Sequence, residues 1–248
     1  MMAFSLDDKV RDKKIEVESL KKRRSLYSSV QECISRGLSP VIGEVKRQSP
    51  SLGVIRECVL VEAAREMQSG GACCISVLTD CAFGGSIDDL KKVKEAVDLP
   101  VLRKDFIVDE YQIMQSYVYG ADCILLIASV LGDETKNFVM KAKSLGMESL
   151  VEVHSPADIK YAVDSGSCFI GINNRNLKTM NVDLDTTRSL IGELPNNIMK
   201  VAESGIKTRR DLMDLSRLGA DAFLVGTGIM KSNDIKSKVM ELVGYVQD

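Results

Sequence analysis

The chain has 248 residues, 45% of them apolar and 27% charged, with a net charge of −2. That length suits two small domains or one large α/β barrel, and nothing in the charge balance draws the chain to nucleic acid. Seven cysteines without a C-x-x-C pair and a single histidine, His154, argue for a reduced, cytoplasmic protein with no metal site. The charge crowded between Asp7 and Arg24 excludes a secretory leader there, and the apolar run Ile124 to Leu131 is too short to span a bilayer.

From Leu6 to about Ser35, Val10, Ile15, Val17, Leu20, Leu26 and Val30 form a broken apolar stripe between charged positions, which predicts one helix ended by Gly37 and Pro40. It precedes the first strand, and its run of Lys21, Lys22, Arg23 and Arg24 reads as a solvated face. The next stretch, Pro40 to Gly53, begins as an apolar strand that carries Glu44 and Lys46 two residues apart. Residues two apart in a strand share a face. A short buried strand holds two charges on one face only if they are paired or line a working mouth.

Beyond Gly53, apolar runs of strand length alternate with amphipathic segments of helix length. The runs lie at about 41–46, 73–78, 100–104, 122–127, 148–153, 168–173, 198–203 and 221–226, and the helical segments include 59–68, 89–97, 111–119 and 211–218. Eight such units predict an α/β fold, a (β/α)8 TIM barrel with an extra N-terminal helix. A single domain over 1–248 is expected, with 1–38 as its helical extension. Gly71, Gly120, Gly166 and Gly219 each close a helix before strands 2, 4, 6 and 8, a spacing that suggests a repeated two-unit block. No G-x-G-x-x-G follows the first strand, which disfavours a dinucleotide site.

The C-terminal ends of barrel strands carry function. Glu44 and Lys46 stand there on strand 1, Lys104 on strand 3, Glu152 on strand 5, Asn173 and Arg175 on strand 6, and Glu203 on strand 7. Lysines and glutamates gathered in one partly dry site shift one another's pKa values, which makes acid and base work possible near neutral pH. His154, two residues past Glu152, reads as a group that orders the loop rather than a base. Cys123 and Cys168 read as small core residues, with no adjacent cation to lower a thiol pKa. After strands 7 and 8, Gly205, Gly226 and Gly228 leave backbone N–H groups open, and with Ser204 and Thr227 they predict a phosphate site.

Glu44-Val-Lys-Arg with Ser49-Pro-Ser, Val77-Leu-Thr-Asp, Phe83-Gly-Gly-Ser, Pro100-Val-Leu-Arg-Lys-Asp-Phe, Leu150-Val-Glu-Val-His, Gly171-Ile-Asn-Asn-Arg-Asn-Leu and Glu203-Ser-Gly-Ile cover nearly the whole chain. Together they resemble the indole-3-glycerol phosphate synthase family. The resemblance implies a carboxy-lyase of tryptophan biosynthesis. Its substrate, 1-(2-carboxyphenylamino)-1-deoxyribulose 5-phosphate, closes to indole-3-glycerol phosphate with loss of carbon dioxide and water. It further implies Lys104 as general acid on the ribulose ketone and Glu152 as base, with Lys46 and Glu44 assisting. Asn173 and Glu203 match positions that steady the substrate hydroxyls and the lysines, and Lys46 and Arg175 positions that hold the anionic substrate. Ser49 is expected to face the substrate carboxylate and Phe83 and Phe106 to line the ring pocket, with Ser204, Gly205, Gly226 and Thr227 at the phosphate. No metal or organic cofactor is implied. The expected partner is the phosphorylated small molecule, with no nucleic acid and no membrane, and the chain is expected to be a monomer or a weak homo-oligomer.

Two departures from the family pattern stand at Gln48, where a small or basic residue is usual, and at Ala82, where an aromatic often precedes Phe83. The rival readings are a related isomerase, phosphoribosylanthranilate isomerase, and a non-catalytic barrel that binds a sugar phosphate. The first calls for a Cys or Asp on strand 1, where this chain has Glu44 and Lys46. The second calls for eroded acid and base groups.

Overall fold

The computed structural model describes residues 6–21, 23–49, 53–54 and 60–245. Eight parallel strands close on themselves in chain order: β1 (Val41–Val45), β2 (Cys74–Leu78), β3 (Val101–Lys104), β4 (Cys123–Ile127), β5 (Glu148–Val153), β6 (Phe169–Asn173), β7 (Met199–Glu203) and β8 (Ala222–Val225). Closure is made by β1, which pairs Ile42 with Cys74 and Glu44 with Ser76 on one side and Val41 with Phe223 on the other. The expected (β/α)8 barrel is therefore the observed one.

The two-residue alternation sorts each strand into an inner and an outer face. Val41, Val45, Ile75, Val77, Val101, Ile124, Leu126, Val151, Ile170, Ile172, Phe223 and Val225 point outward into a shell shared with the surrounding helices. Those helices are α3 (Leu60–Ser69), α4 (Ile87–Ala96), α5 (Glu110–Val118), α6 (Ala128–Leu131), α7 (Thr135–Ser144), α8 (Pro156–Asp164), α9 (Asp185–Leu190), α10 (Arg209–Arg217), α11 (Thr227–Met230) and α12 (Ile235–Val243), numbered after the two that open the chain. Ile42, Cys74, Leu102, Cys123, Leu125, Leu150, Phe169, Val201, Ala222 and Leu224 fill the interior. The inward positions nearest the C-terminal strand ends are different: Glu44, Lys104, Glu152, Asn173 and Glu203 replace hydrocarbon there.

The N-terminal extension departs from expectation. It is two helices, α1 (Leu6–Lys21) and α2 (Leu26–Ser35), not one. Ser25 is extended (φ −89°, ψ 120°) and its hydroxyl accepts the Ser28 N–H, so it caps a new helix where a continuous one would pass. Arg23 and Arg24 are docked rather than solvated. Arg23 donates to the Tyr117 carbonyl (2.9 Å) with its guanidinium 4.2 Å from that ring's centre. Arg24 donates to the carbonyls of Val97 (2.7 Å) and Leu99 (2.9 Å), while its own N–H reaches Asp122. Carbonyls at the ends of α4 and α5 and just before β3, at the end of the barrel opposite the cavity, take a donor from these arginines. Thus fixed, α2 buries Leu26, Val30 and Cys33 against the interior cluster and stoppers the end opposite the functional one.

Glycines with positive φ close helices before β2, β4, β6 and β8, as expected, at Gly71 (93°), Gly120 (90°), Gly166 (74°) and Gly219 (106°). Gly37 (70°) and Gly146 (77°) do the same before β1 and β5, so the recurrence marks helix ends generally and not a two-unit block. Cys168 is exposed, contrary to its reading as core: it lies just ahead of β6, outside the strand that would have buried it. Cys123 is buried as expected.

Candidate active site

A cavity of about 850 Å³ lies over the C-terminal strand ends. Glu44, Lys46, Phe83, Lys104, Phe106, Glu152, Asn173, Arg175, Ser204, Gly205, Gly226 and Thr227 all line it. Two expected residues do not. Glu203 is 1% exposed and sits beneath the cavity floor. Ser49 pairs with Gly53 in a short antiparallel ladder, but its side chain, like that of Gln48, lies outside the described residues.

Charge is concentrated on the floor. Lys46 and Glu44 form a contact ion pair, and Lys104 Nζ lies 3.7 Å from Glu152 Oε2. Burial alone would push the Glu44 carboxyl up, but Lys46 and Lys104 outweigh it and hold it below the usual carboxylate range. Glu152 follows the same logic more strongly: against burial, Lys104, His154 and Asn173 bring it down to about 2. Lys104, which burial would discharge, is kept protonated by the charged carboxylates of Glu152 and Glu44. Glu203 goes the other way. Burial raises it well above the carboxylate range, helped by the neighbouring Glu152 charge and by a hydrogen bond to Glu152 that favours the protonated form. The floor therefore holds charged lysines, charged carboxylates and one neutral carboxylic acid.

His154 stands beside this set, with Nε2 3.1 Å from Glu152 Oε1. The contact is close, but the ring is poorly aimed for a hydrogen bond, and both ring nitrogens are buried without a partner. Its backbone N–H donates to Asp158, which fixes the start of α8. The loop-ordering role expected of His154 thus falls to its backbone.

Buried networks aim the working side chains. Behind β3, Arg103 donates to the Gln112 carbonyl and the Ser116 hydroxyl on α5 (3.0 Å each) and to Asp105 (2.9 Å). Asp105 also accepts from Thr79 (2.5 Å) and from the Phe106 N–H (2.8 Å), so the residues on both sides of it, Lys104 and Phe106, are held in place. At the end of β6, the Asn174 amide donates to the carbonyls of Glu203 (2.9 Å) and Ser204 (3.1 Å), tying that loop to β7. Arg175 is braced by its N–H on Asn173 Oδ1 (2.9 Å) and its guanidinium on the Met180 carbonyl (3.0 Å).

The glycine corner is built by close backbone approach. Ser204 and Gly205 both have positive φ (64° and 85°), and a Cβ on Gly228 would come 2.9 Å from the Ile206 carbonyl. Lys207, Lys231 and Lys238 also line the cavity. The opposite character is supplied by Leu177, Met180, Val182 and Leu184 from the loop after β6, an apolar wall that sequence reasoning missed. Apolar residues do recur along 177–184, but what turns them inward is a bridge between Arg175 and Val182 that folds the segment back, which the sequence does not show. Asp105 is a second omission.

A family model described as indole-3-glycerol phosphate synthase matches residues 4–242. Proteins of that name from Thermoanaerobacter pseudethanolicus (43% identical, 96% of each chain covered), Albidiferax ferrireducens (44%, 92% of this chain and 87% of that one) and a Mycobacterium species (46%, 82% and 76%) are similar to it. Among solved structures, a thiamine phosphate pyrophosphorylase from Pyrococcus furiosus superposes with a TM-score of 0.62 at 18% identity, covering 83% of this chain and 93% of its own, a likeness of fold alone. With its barrel closed, its ionisable floor assembled and its family matched from residue 4 to residue 242, the chain belongs to the indole-3-glycerol phosphate synthase family.

Proposed function

We propose that the chain catalyses the reaction of its family, the decarboxylating and dehydrating closure of 1-(2-carboxyphenylamino)-1-deoxyribulose 5-phosphate to indole-3-glycerol phosphate. One observation carries this reading: a protonated lysine, Lys104, and an ionised carboxylate, Glu152, stand 3.7 Å apart on the floor of a cavity lined by both apolar and cationic side chains.

The phosphate lies at the glycine corner, against the backbone of Gly205 and Gly226, the hydroxyls of Ser204 and Thr227, and Arg175. The anthranilate ring lies against Phe83, Phe106 and the wall of Leu177, Met180 and Leu184, which crowds the ring carbon against the ketone. Ser49 takes the carboxylate. As the carbon–carbon bond forms, the ketone oxygen gains charge and Lys104 protonates it. Carbon dioxide leaves and the ring electrons return. Dehydration then needs an acid for the departing hydroxyl and a base for the ring proton. Lys46, paired with Glu44, is placed for the first and Glu152 for the second, with Asn173 and the neutral Glu203 holding their geometry. The carboxylate leaves as a neutral molecule, so each turnover takes up one proton from solvent. Every step is acid–base chemistry.

The chain is read as one catalytic domain with 1–38 as its N-terminal helical extension, acting as a cytoplasmic monomer or weak homo-oligomer. Its described cysteines are all unpaired, and no helix among the described residues is long and apolar enough to cross a membrane. The deciding experiment mixes purified protein with the carboxyphenylamino-deoxyribulose phosphate, without added metal, and follows indole emission. Emission should grow with time. Tight binding of substrate without emission would instead favour the non-catalytic barrel.

A further inference from the structure

Two glycines on the inner barrel wall have no conformational reason to be glycine. Gly171 lies within β6 and is not among the glycines of positive φ, and Gly226 has φ −111° and ψ −73°, in the right-handed helical region. Both are instead required for space. A Cβ on Gly171 would stand 2.1 Å from Glu203 Oε1 and 3.3 Å from Leu150 Cδ1. A Cβ on Gly226 would stand 2.4 Å from Glu44 Oε1 and 2.7 Å from Lys46 Nζ. These are closer than real Cβ contacts, and the first atoms met are the far ends of ionisable side chains. A methyl at either position displaces a working group while the barrel backbone stays where it is.

We propose that Gly171 and Gly226 are positioning residues for the ring closure. The missing side chain of Gly171 is the seat of the Glu203 carboxyl, and that of Gly226 is the seat of the Glu44–Lys46 pair. Glu203 shows why a seat is needed. Its neutral carboxyl lies within hydrogen-bond reach of Glu152, and the space left by the missing side chain is what lets it reach that position. The Glu44–Lys46 pair is likewise set by where the β8 wall recedes. This role for Gly226 adds to the backbone contact with phosphate, because its N–H and its missing side chain are separate resources. The proposal rests on reading Glu203, Glu44 and Lys46 as working groups.

The test is a double-mutant cycle on the full chain, read by indole emission and by thermal unfolding. Gly171→Ala should lower kcat about 100-fold, the scale of loss that a 1 Å misplacement causes, with KM changed by less than about threefold. In a Glu203→Ala background the same substitution should cost less than about threefold further, because the displaced group is gone. Its loss in Tm should vanish in that background as well. Should Gly171→Ala fail to fold, Gly226→Ala carries the same test: it should lower kcat with little change in KM, and its Tm loss should vanish in the Glu44→Ala/Lys46→Ala double variant. Losses that simply add in the two backgrounds would overturn the seats. Gly171→Ala with kcat within threefold of the parent would overturn the positioning role. A parent chain without turnover would sink the reaction reading itself, and the thermal cycle would still decide whether the seats exist.

Discussion

Lys104 illustrates how the floor sets its own chemistry. Burial acts to strip its proton, and the charged Glu152 and Glu44 overcome that, so the lysine keeps its proton and suits the acid role proposed for it. Replacing it with Met should lower kcat by about 10²–10⁴-fold while KM stays within about threefold, since the proton it supplies matters in the transition state. Steady-state kinetics decide this, and a loss shared equally by KM would sink the assignment. Glu203 makes the opposite case. Glu152, Lys104 and Glu44 face it, and it keeps its proton at a pH where an ordinary glutamate has lost it. As pH rises through that raised pKa, a second negative charge forms against Glu152 and turnover should fall. Glu203→Gln, which mimics the neutral acid, should retain kcat within about tenfold at neutral pH and lose that alkaline limb. The same shift has a stability sign. The folded chain binds this proton more tightly than the unfolded one, so stability is lost as pH rises from the unfolded value through the folded one. Glu203→Gln should therefore raise Tm relative to the parent at pH 8, with the difference gone near pH 4. An unchanged rate profile and an unchanged difference in Tm would mean that Glu203 is ionised throughout.

Among the elements, α2 is the one whose placement depends most on a single side chain. Glu148, at the start of β5, accepts from the Ser25 hydroxyl (3.0 Å) and from the N–H groups of Leu26 (2.6 Å) and Tyr27 (3.2 Å). It thereby supplies both charge and acceptors to the first turn of α2. Glu148→Ala leaves those donors without partners at about 1–3 kcal/mol, which for a barrel of this size lowers Tm by several degrees. Below the transition kcat should match the parent, because α2 covers the end of the barrel away from the cavity. A normal Tm would show that water replaces the carboxylate. None of this was legible in the residues, since Ser25 and Glu148 are far apart in sequence and the apolar stripe continues through the break between α1 and α2. The eight strands were legible because each is an apolar run of strand length set between amphipathic segments of helix length. The ionisable floor was legible because Glu44, Lys104, Glu152 and Glu203 interrupt those runs at the strand ends. The wall of Leu177, Met180, Val182 and Leu184 was not, because it lies in a loop, where apolar residues follow no period that says which way they face. The seats at Gly171 and Gly226 are invisible without coordinates, as a glycine needed for space looks like any other.

Over the whole molecule, charge is divided against its own average. The chain carries −2 overall, yet Arg175, Lys207 and Lys231 all line the cavity in which the substrate phosphate is proposed to lie. Lys207 is near the Asp211 carboxylate, whereas no ion-pair partner for Lys231 is found among the described residues. A local positive field on a slightly acidic surface favours approach of a dianion phosphate end first, and it does so mainly through encounter and ground-state binding. Exposed charges of this kind are screened over about 10 Å at 0.1 M salt, so their effect is modest and depends on ionic strength. Lys231→Ala should accordingly raise KM about three- to fivefold at low salt, leave kcat within about twofold, and differ little from the parent at about 0.5 M salt. Salt titrations of kcat/KM for parent and variant separate this from a steric effect, which salt would leave in place. If KM does not move at any ionic strength, the phosphate does not approach past Lys231. The cationic rim would then serve no part of substrate capture, and the glycine corner alone would have to account for binding.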